Sequence, residues 1–349
     1  MKRLLALTLV LCAATPTASA PSGPWNAAVR DQLITQMETA LRDYFFVDRV
    51  PKLRAALEAN RAKLVAIDEP DAYAEAASRV LQGVTHDKHL NLFYSPIPLP
   101  ADKPSVADQR KMQQFDEYAD HGFAALARLK GNIGYFRLDG FAMSSPGTRH
   151  MIDEAMKELA KTDGLIVDLR SNFGGDADTV DYLLGYFFAT KTQVTGFLSR
   201  EHGKITSESI YTATNLGGPK YLERPVYILT SAQTISGGEQ FAYDLKASKR
   251  ATLVGQTTAG GANAGEPHPL TENFAIFVPD ASPRNPITET NWEGTGIVPD
   301  VKTTAKDALL QAYVLALKAS TNQLDIAVHS RHDFLADPVK ALHDSLPDF

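Results

Sequence analysis

Apolar residues between Trp25 and Val84 return every three or four positions. Ala27, Leu33, Met37, Leu41 and Phe45 make one stripe, and Leu53, Leu57, Leu64 and Ile67 continue it. Such spacing puts the residues on one face of a helix. Asp71–Leu81 is a third, alanine-rich segment, broken at Gly83. The spacing therefore predicts three helices and a small bundle over residues 21–84. After Thr85 the period changes: Leu90, Leu92 and Tyr94 alternate with Asn91 and Phe93, a turn followed by a short strand. Ser95–Pro104 is proline-rich and reads as a connector, and Lys111–Leu129 as irregular or partly helical. Gly134–Leu138 (GYFRL) predicts a strand and Thr148–Ala160 a helix. Leu165–Leu169 (LIVDL) is a buried-strand run, followed by a helix from about Ala177 to Phe188. Val226–Leu229 is a second continuous apolar run of β-formers, and a helix follows from Ser236, with Phe241 and Leu245 in register. Thr252–Gly255 and Phe274–Val278 read as further strands and Gln256–Gly265 as a flexible glycine-rich loop. Asn291–Asp300 is turn-rich, and Asp307–Lys318 is an amphipathic closing helix.

Two strand-to-helix corners in this pattern can carry chemistry. At the second, Ser236 precedes Gly237 and Gly238, where a helix N-terminus presents unpaired N–H groups and partial positive charge. A serine there is an ordinary N-cap or a nucleophile beside an oxyanion hole, and the local sequence does not separate the two. At the first, Gly174-Gly175 makes either a tight turn or a second backbone donor site. Asp168 and Arg170 nearby read as an ion pair or turn brace. His89 opens the short strand after residue 85; a lone histidine is usually structural, and His86 with His89 offers too few ligands for a metal. Glu293, between Trp292 and Gly294, reads as solvated surface unless the indole buries it.

Composition narrows the function classes. The formal charge is -6 with no basic stripe, which argues against nucleic acid as a partner. CxxC, HExxH and phosphate-loop patterns are absent, and no cofactor or metal is implied. Lys2-Arg3, the apolar run Leu4–Ala14 and Ala18-Ser19-Ala20 have the form of a signal peptide over residues 1–20. The apolar run is too short to span a bilayer, so no stable membrane anchor is expected, and the protein is expected in a periplasm or outside the cell. Cys12 is the one cysteine and lies inside that segment; Leu11 before it is too large for a lipoprotein signal. The chain after residue 20 has no thiol chemistry.

Five segments in order, HDKHLNL, DGLIVDLRSNFGG, YILTSAQTISGGEQFAYDLK, RATLVGQTTAGGAN and NWEGTGIVPD, resemble the C-terminal processing (tail-specific) serine proteases. The likeness is to the branch of the tricorn core protease and the interphotoreceptor retinoid-binding protein. It implies an α/β, crotonase-like spiral over residues 85–305, preceded by the helical bundle of residues 21–84 and followed by a C-terminal helix and tail over residues 306–349. By the same resemblance Ser236 is the nucleophile, His89 the general base and Glu293 the supporting carboxylate. The oxyanion donors are then Gly237 and one of Gly174 or Gly175. Relatives with a Ser/Lys dyad carry the lysine in the loop that here reads Thr257–Asn263, which has none. Lys88 stands where the tricorn protease has an assisting serine. No stretch between His89 and Gly131 is long enough for a PDZ insert. The implied activity is peptide-bond hydrolysis on peptides or unfolded proteins. The other reading is a binder of retinoid-like lipophilic ligands on the same scaffold. His268 is the competing base, and nothing in the sequence fixes the oligomeric state.

Overall fold

The computed structural model describes residues 25–99, 106–201, 204–320 and 325–346. The proposed signal over residues 1–20 lies outside the described residues. In chain order the elements open with helices α1 (Ala27–Ala40), α2 (Val50–Val65) and α3 (Pro70–Thr85), then strand β1 (Asn91–Tyr94) and helix α4 (Val106–Tyr118). Strands β2 (Phe123–Leu129) and β3 (Ile133–Leu138), helix α5 (Pro146–Leu159), strand β4 (Gly164–Asp168) and helix α6 (Ala177–Leu184) follow. Next come β5 (Gln193–Glu201), β6 (Lys204–Tyr211), β7 (Val226–Thr230), helix α7 (Gly237–Ala247), β8 (Thr252–Gly255), β9 (Ala264–Pro269) and β10 (Phe274–Arg284). The chain closes with β11 (Val301–Lys302), α8 (Ala308–Ala319), α9 (Asp325–Ala336) and α10 (Pro338–His343). Among the described residues no helix is long and apolar enough to cross a membrane.

Two compact units divide the chain, and neither is a single stretch of sequence. The first gathers residues 1–112, 197–208 and 261–283; the second holds residues 113–196, 209–260 and 284–349. In the first unit the apolar stripes of α1, α2 and α3 converge. Leu33, Ile34, Met37, Leu53, Leu57, Tyr73 and Leu81 share one core with Leu90 and Leu92 before and in β1 and with Phe274, Ile276 and Val278 of β10. The strand period of two explains the last three: alternate residues of β10 turn to the helices. β1 pairs antiparallel with β10 from Asn91↔Phe277 to Tyr94↔Phe274, and β9 pairs on β10 as well.

The second unit is built on a six-stranded sheet of order β11-β8-β7-β4-β3-β2. All its neighbours are parallel except β2 and β3, an antiparallel pair joined at Lys130–Asn132. Such a sheet must be covered on both faces, which is why LIVDL and VYIL read as continuous apolar runs. Ile166, Tyr227, Leu229 and Val254 pack with Ala308, Ala312, Tyr313 and Ala316 of α8. The alternate residues Val167, Ile228 and Leu253 are equally buried and face the other way. The stretch expected to be irregular or partly helical, Lys111–Leu129, holds the end of α4 and then β2, an edge strand with alternating exposure and several alanines. β5 and β6 carry no apolar run comparable with β4 or β7, and the sequence pattern left them unread.

Candidate active site

β4 and β7 are immediate parallel neighbours, registered from Leu165↔Val226 to Asp168↔Leu229. The loops leaving their C-terminal ends therefore emerge side by side on one edge of the sheet. The pairing continues past the strands. Leu169 N–H donates to Leu229 O (3.0 Å), the Thr234 hydroxyl to Leu169 O (2.7 Å) and Ile235 N–H to Asn172 O (3.1 Å). Asp168 and Arg170 form a two-pronged ion pair, Nε to Oδ1 at 2.9 Å and Nη2 to Oδ2 at 2.7 Å, completed by the Tyr135 hydroxyl at 2.9 Å. They brace the turn.

Asn172 shapes the first corner. Fully buried, it donates from Nδ2 to Leu138 O (2.8 Å) and accepts the Gly174 N–H on Oδ1 (2.9 Å). Gly174 and Gly175 have φ of +95° and +134°, where side chains are strained. A Cβ on Gly174 would sit 2.6 Å from the Ser236 Cβ and 3.0 Å from its Oγ, so only glycine lets the two loops approach. Ser236 stands at the head of α7 with φ 57° and ψ −124°, a sparsely populated conformation for a residue with a side chain. Its Oγ is buried and has no hydrogen-bond partner among the described residues. The Gly175 and Gly237 N–H groups donate to none of the described residues either, whereas that of Gly174 is taken by Asn172. A buried hydroxyl next to two unengaged backbone donors at a helix N-terminus can stabilise an oxyanion on a carbonyl it attacks.

Beneath this corner lies Glu239, a residue missed by sequence reasoning. It is fully buried, and its Oε2 accepts the Ser236 N–H at 3.2 Å. Its Oε1 accepts the Gly260 N–H at 2.7 Å and the Thr258 hydroxyl. The signal was present, since Ser236 and Glu239 have capping-box spacing. The Glu239 carboxylate closes its half of that box on the Ser236 N–H. Thr258 Oγ1 in turn accepts the Ile297 N–H (2.7 Å), and Gly260 O accepts the Gly294 N–H (2.9 Å). The glycine-rich loop, expected to be flexible, is instead buried from Gly260 to Gly265 and braced from both sides. Its glycines serve close packing: a Cβ on Gly260, at φ +80°, would meet Gly296 N at 2.7 Å.

Glu293 sits in the turn that this loop holds. It is half-buried, and its N–H donates to Asn291 Oδ1 at 2.8 Å. Trp292 beside it is buried with its ring 5.0 Å from that of Tyr243 on α7. Ser236, Gly174, Gly175, Gly237 and Glu293 thus all belong to the second unit, while His89 belongs to the first. His89 is buried, with its ring 5.7 Å from Phe277, and its Nδ1 has no hydrogen-bond partner among the described residues. Burial lowers the imidazole pKa, and the charge of Asp87 opposes that shift. His268 lies on β9, half-exposed.

One further buried carboxylate stands on α7, two turns beyond Ser236. Asp244 accepts the Thr195 N–H (3.0 Å), the Thr195 hydroxyl (2.8 Å) and the Asn285 amide (2.8 Å), all on Oδ1. Oδ2 has no partner among the described residues, and burial pushes the carboxyl up to about 7. Burial, then the charge of Asp244, also raises Asp181 well above the carboxylate range.

Residues 132–303 match the model of peptidase family S41. Over 180 residues, 50% of this chain and 39% of the relative, the sequence is 28% identical to the carboxy-terminal-processing protease of Bartonella bacilliformis. The chain spans less than half the length of the curated relatives it matches. Among solved structures, a lipoprotein from Streptococcus agalactiae shares the fold with a TM-score of 0.56 at 14% identity, over 86% of this chain and 99% of that one. The tricorn protease does so with a TM-score of 0.50 at 13% identity, over 89% of this chain and 37% of that one. The stretch similar to peptidase family S41 lies over both corners, taking in Gly174-Gly175 and Ser236.

Proposed function

We propose that this chain is an exported serine peptidase acting on peptides or unfolded proteins. Ser236 Oγ attacks the peptide carbonyl while His89 takes its proton; the imidazolium then returns that proton to the departing amine. Water, deprotonated in turn by His89, releases the acyl group from Ser236. Glu293 supports the imidazole. The oxyanion forms against the N–H groups of Gly237 and Gly175, since that of Gly174 is already engaged with Asn172. Loss of one such donor costs about 3 kcal/mol of transition-state stabilisation. The scaffold in this reading is a crotonase-like spiral without a PDZ insert, so a PDZ groove takes no part in substrate choice. Residues 1–20 are removed on export.

The observation that carries the reading is the Ser236 corner: a strained serine, its hydroxyl buried and unengaged, placed against two unengaged backbone donors. An N-cap serine would spend its hydroxyl on the helix. The test is labelling with a serine-directed fluorophosphonate, followed by peptide mapping. Wild-type protein is expected to take the label on Ser236 and the Ser236→Ala variant to take none. A folded wild-type protein that stays unlabelled, or label retained by the variant, overturns the assignment.

A further inference from the structure

We infer that Asp87 is a positioning residue for His89: it holds the histidine backbone, and its negative charge favours the imidazolium formed when the ring takes a proton. This rests on His89 being the base proposed above. The local facts are these. α3 ends as His86 turns to φ 59°, and at the next residue Asp87 Oδ1 accepts the N–H of His89, two positions on, at 3.0 Å. On its own that is an Asx turn, a common brace where a chain leaves a helix. A turn brace, however, needs one oxygen and stays wet. Asp87 is 1% exposed, and its second oxygen is occupied from far away in sequence. Oδ2 accepts the Tyr44 hydroxyl at 3.0 Å and the Asn263 amide at 2.9 Å.

Burying a carboxylate is costly, and proteins ordinarily offset the cost with a cation. Asp87 has neutral donors instead, and no arginine or lysine pairs with it among the described residues. Arg49, the guanidinium that acts on Tyr44, is turned to Thr85 O (3.2 Å) and lies over the Phe46 ring. His86 and Lys88 are exposed, and β10 presents Phe277 to the histidine. Burial, reinforced by the Asp87 charge, pushes the Tyr44 phenol far above its ordinary range, so it donates at every working pH. With Tyr44 held as a neutral donor, the Asp87 charge acts on the His89 ring. An Asp87 carboxylate oxygen lies within 4.8 Å of a His89 ring nitrogen. At that range a carboxylate favours the charged imidazole and counters the desolvation that disfavours it. A buried histidine without such a neighbour would be a poor acceptor for the serine proton.

The decisive variant is Asp87→Asn, which keeps an oxygen for the His89 N–H and removes the charge. Two readouts are taken on protein shown to be folded by its melting curve: the pH profile of kcat/KM, and the titration of the His89 ring followed by NMR in a Ser236→Ala background. The expected result is an acid limb and a ring titration both moved to lower pH, with kcat/KM at neutral pH down about 100-fold, as for an ångström-scale misplacement. Unmoved titration in a folded variant overturns the inference, whatever happens to the rate. Should Asp87→Asn alone fail to fold, Tyr44→Phe/Asp87→Asn removes the hydroxyl that would face the new amide, and Tyr44→Phe is its reference. An active His89→Ala enzyme would instead overturn the proposed base while leaving the ring titration to report on Asp87.

Discussion

Ser236 and His89 lie in different units, yet each has its backbone N–H gripped by a buried carboxylate that also grips the glycine-rich loop. Glu239 takes the Ser236 N–H and, at the near end of the loop, the Gly260 N–H. Asp87 takes the His89 N–H and, further along the same loop, the Asn263 side chain. The building materials differ. The serine corner is made of main chain: glycines at positive φ, backbone donors and a Cβ-free approach. The histidine ledge is made of side chains, Tyr44, Asp87 and Asn263, each on a connecting segment beside a helix or strand. Where main chain does the work, glycine replacements damage the site through sterics. Where side chains do it, the same loop tolerates shape changes but not a change in donor or charge.

The largest expected effect tests whether the two regions act as one machine. Ser236→Ala and His89→Ala should each lower kcat on an unfolded-protein substrate by about 10⁶-fold, and the double variant should be little worse, because members of one unit are not additive. His268→Ala is the control that keeps activity. Losses that add between Ser236→Ala and His89→Ala would separate the regions.

Next in size is a stability effect confined to the second unit. Asp244 titrates near 7 when folded and near 3.9 in an unfolded chain. Between those values the folded protein holds a proton that the unfolded chain has released. Stability should therefore fall as pH rises through this window, by roughly 4 kcal/mol in all, and stop falling above about 7. Urea unfolding at pH 5 and pH 8 measures it, and Asp244→Asn should shrink the difference, leaving the share of the buried Asp181. His89, with its pKa lowered, acts in the opposite sense, weakening folding as pH drops below the ordinary imidazole value near 6.5.

The smallest effect sharpens the contrast in materials. Glu239→Gln keeps the side chain's shape but turns an NH₂ toward one of its backbone donors. It should cost about 1 to 3 kcal/mol in melting experiments and less than the nucleophile variants in kcat. A variant as stable and active as wild type would remove Glu239 from the account of how Ser236 is held.

How much of this was readable follows the same division. The apolar runs of β4 and β7, the helical stripes of α1, α2 and α3, and the two glycine corners all announce themselves within a few residues. Even Glu239 was within reach, three residues from Ser236. β2 escaped because an edge strand carrying alanines has no strong period, β5 because its buried stretch mixes Thr195, Gly196 and Ser199 with Val194 and Phe197, and β6 for want of a buried face. The loop Gln256–Gly265 looked flexible because glycine reads as freedom, when here it reads as proximity to Gly296 and the main chain around it. Asp87 could not be assigned at all: Tyr44 lies 43 residues before it and Asn263 lies 176 after it.

The parallel register of β4 against β7 has a consequence for tolerance. Gly175 rides on the loop after one strand and Gly237 on the turn after the other, so the register acts as the gauge that sets the distance between two donors. A slip of one residue would displace one donor by about 3.3 Å relative to the other and turn every core side chain of the slipped strand to the wrong face. Oxyanion recognition needs alignment much finer than that. Core positions such as Val167 and Ile228, remote from any substrate, are therefore alignment parts, and repacking them would be read out first as lost turnover rather than as lost structure.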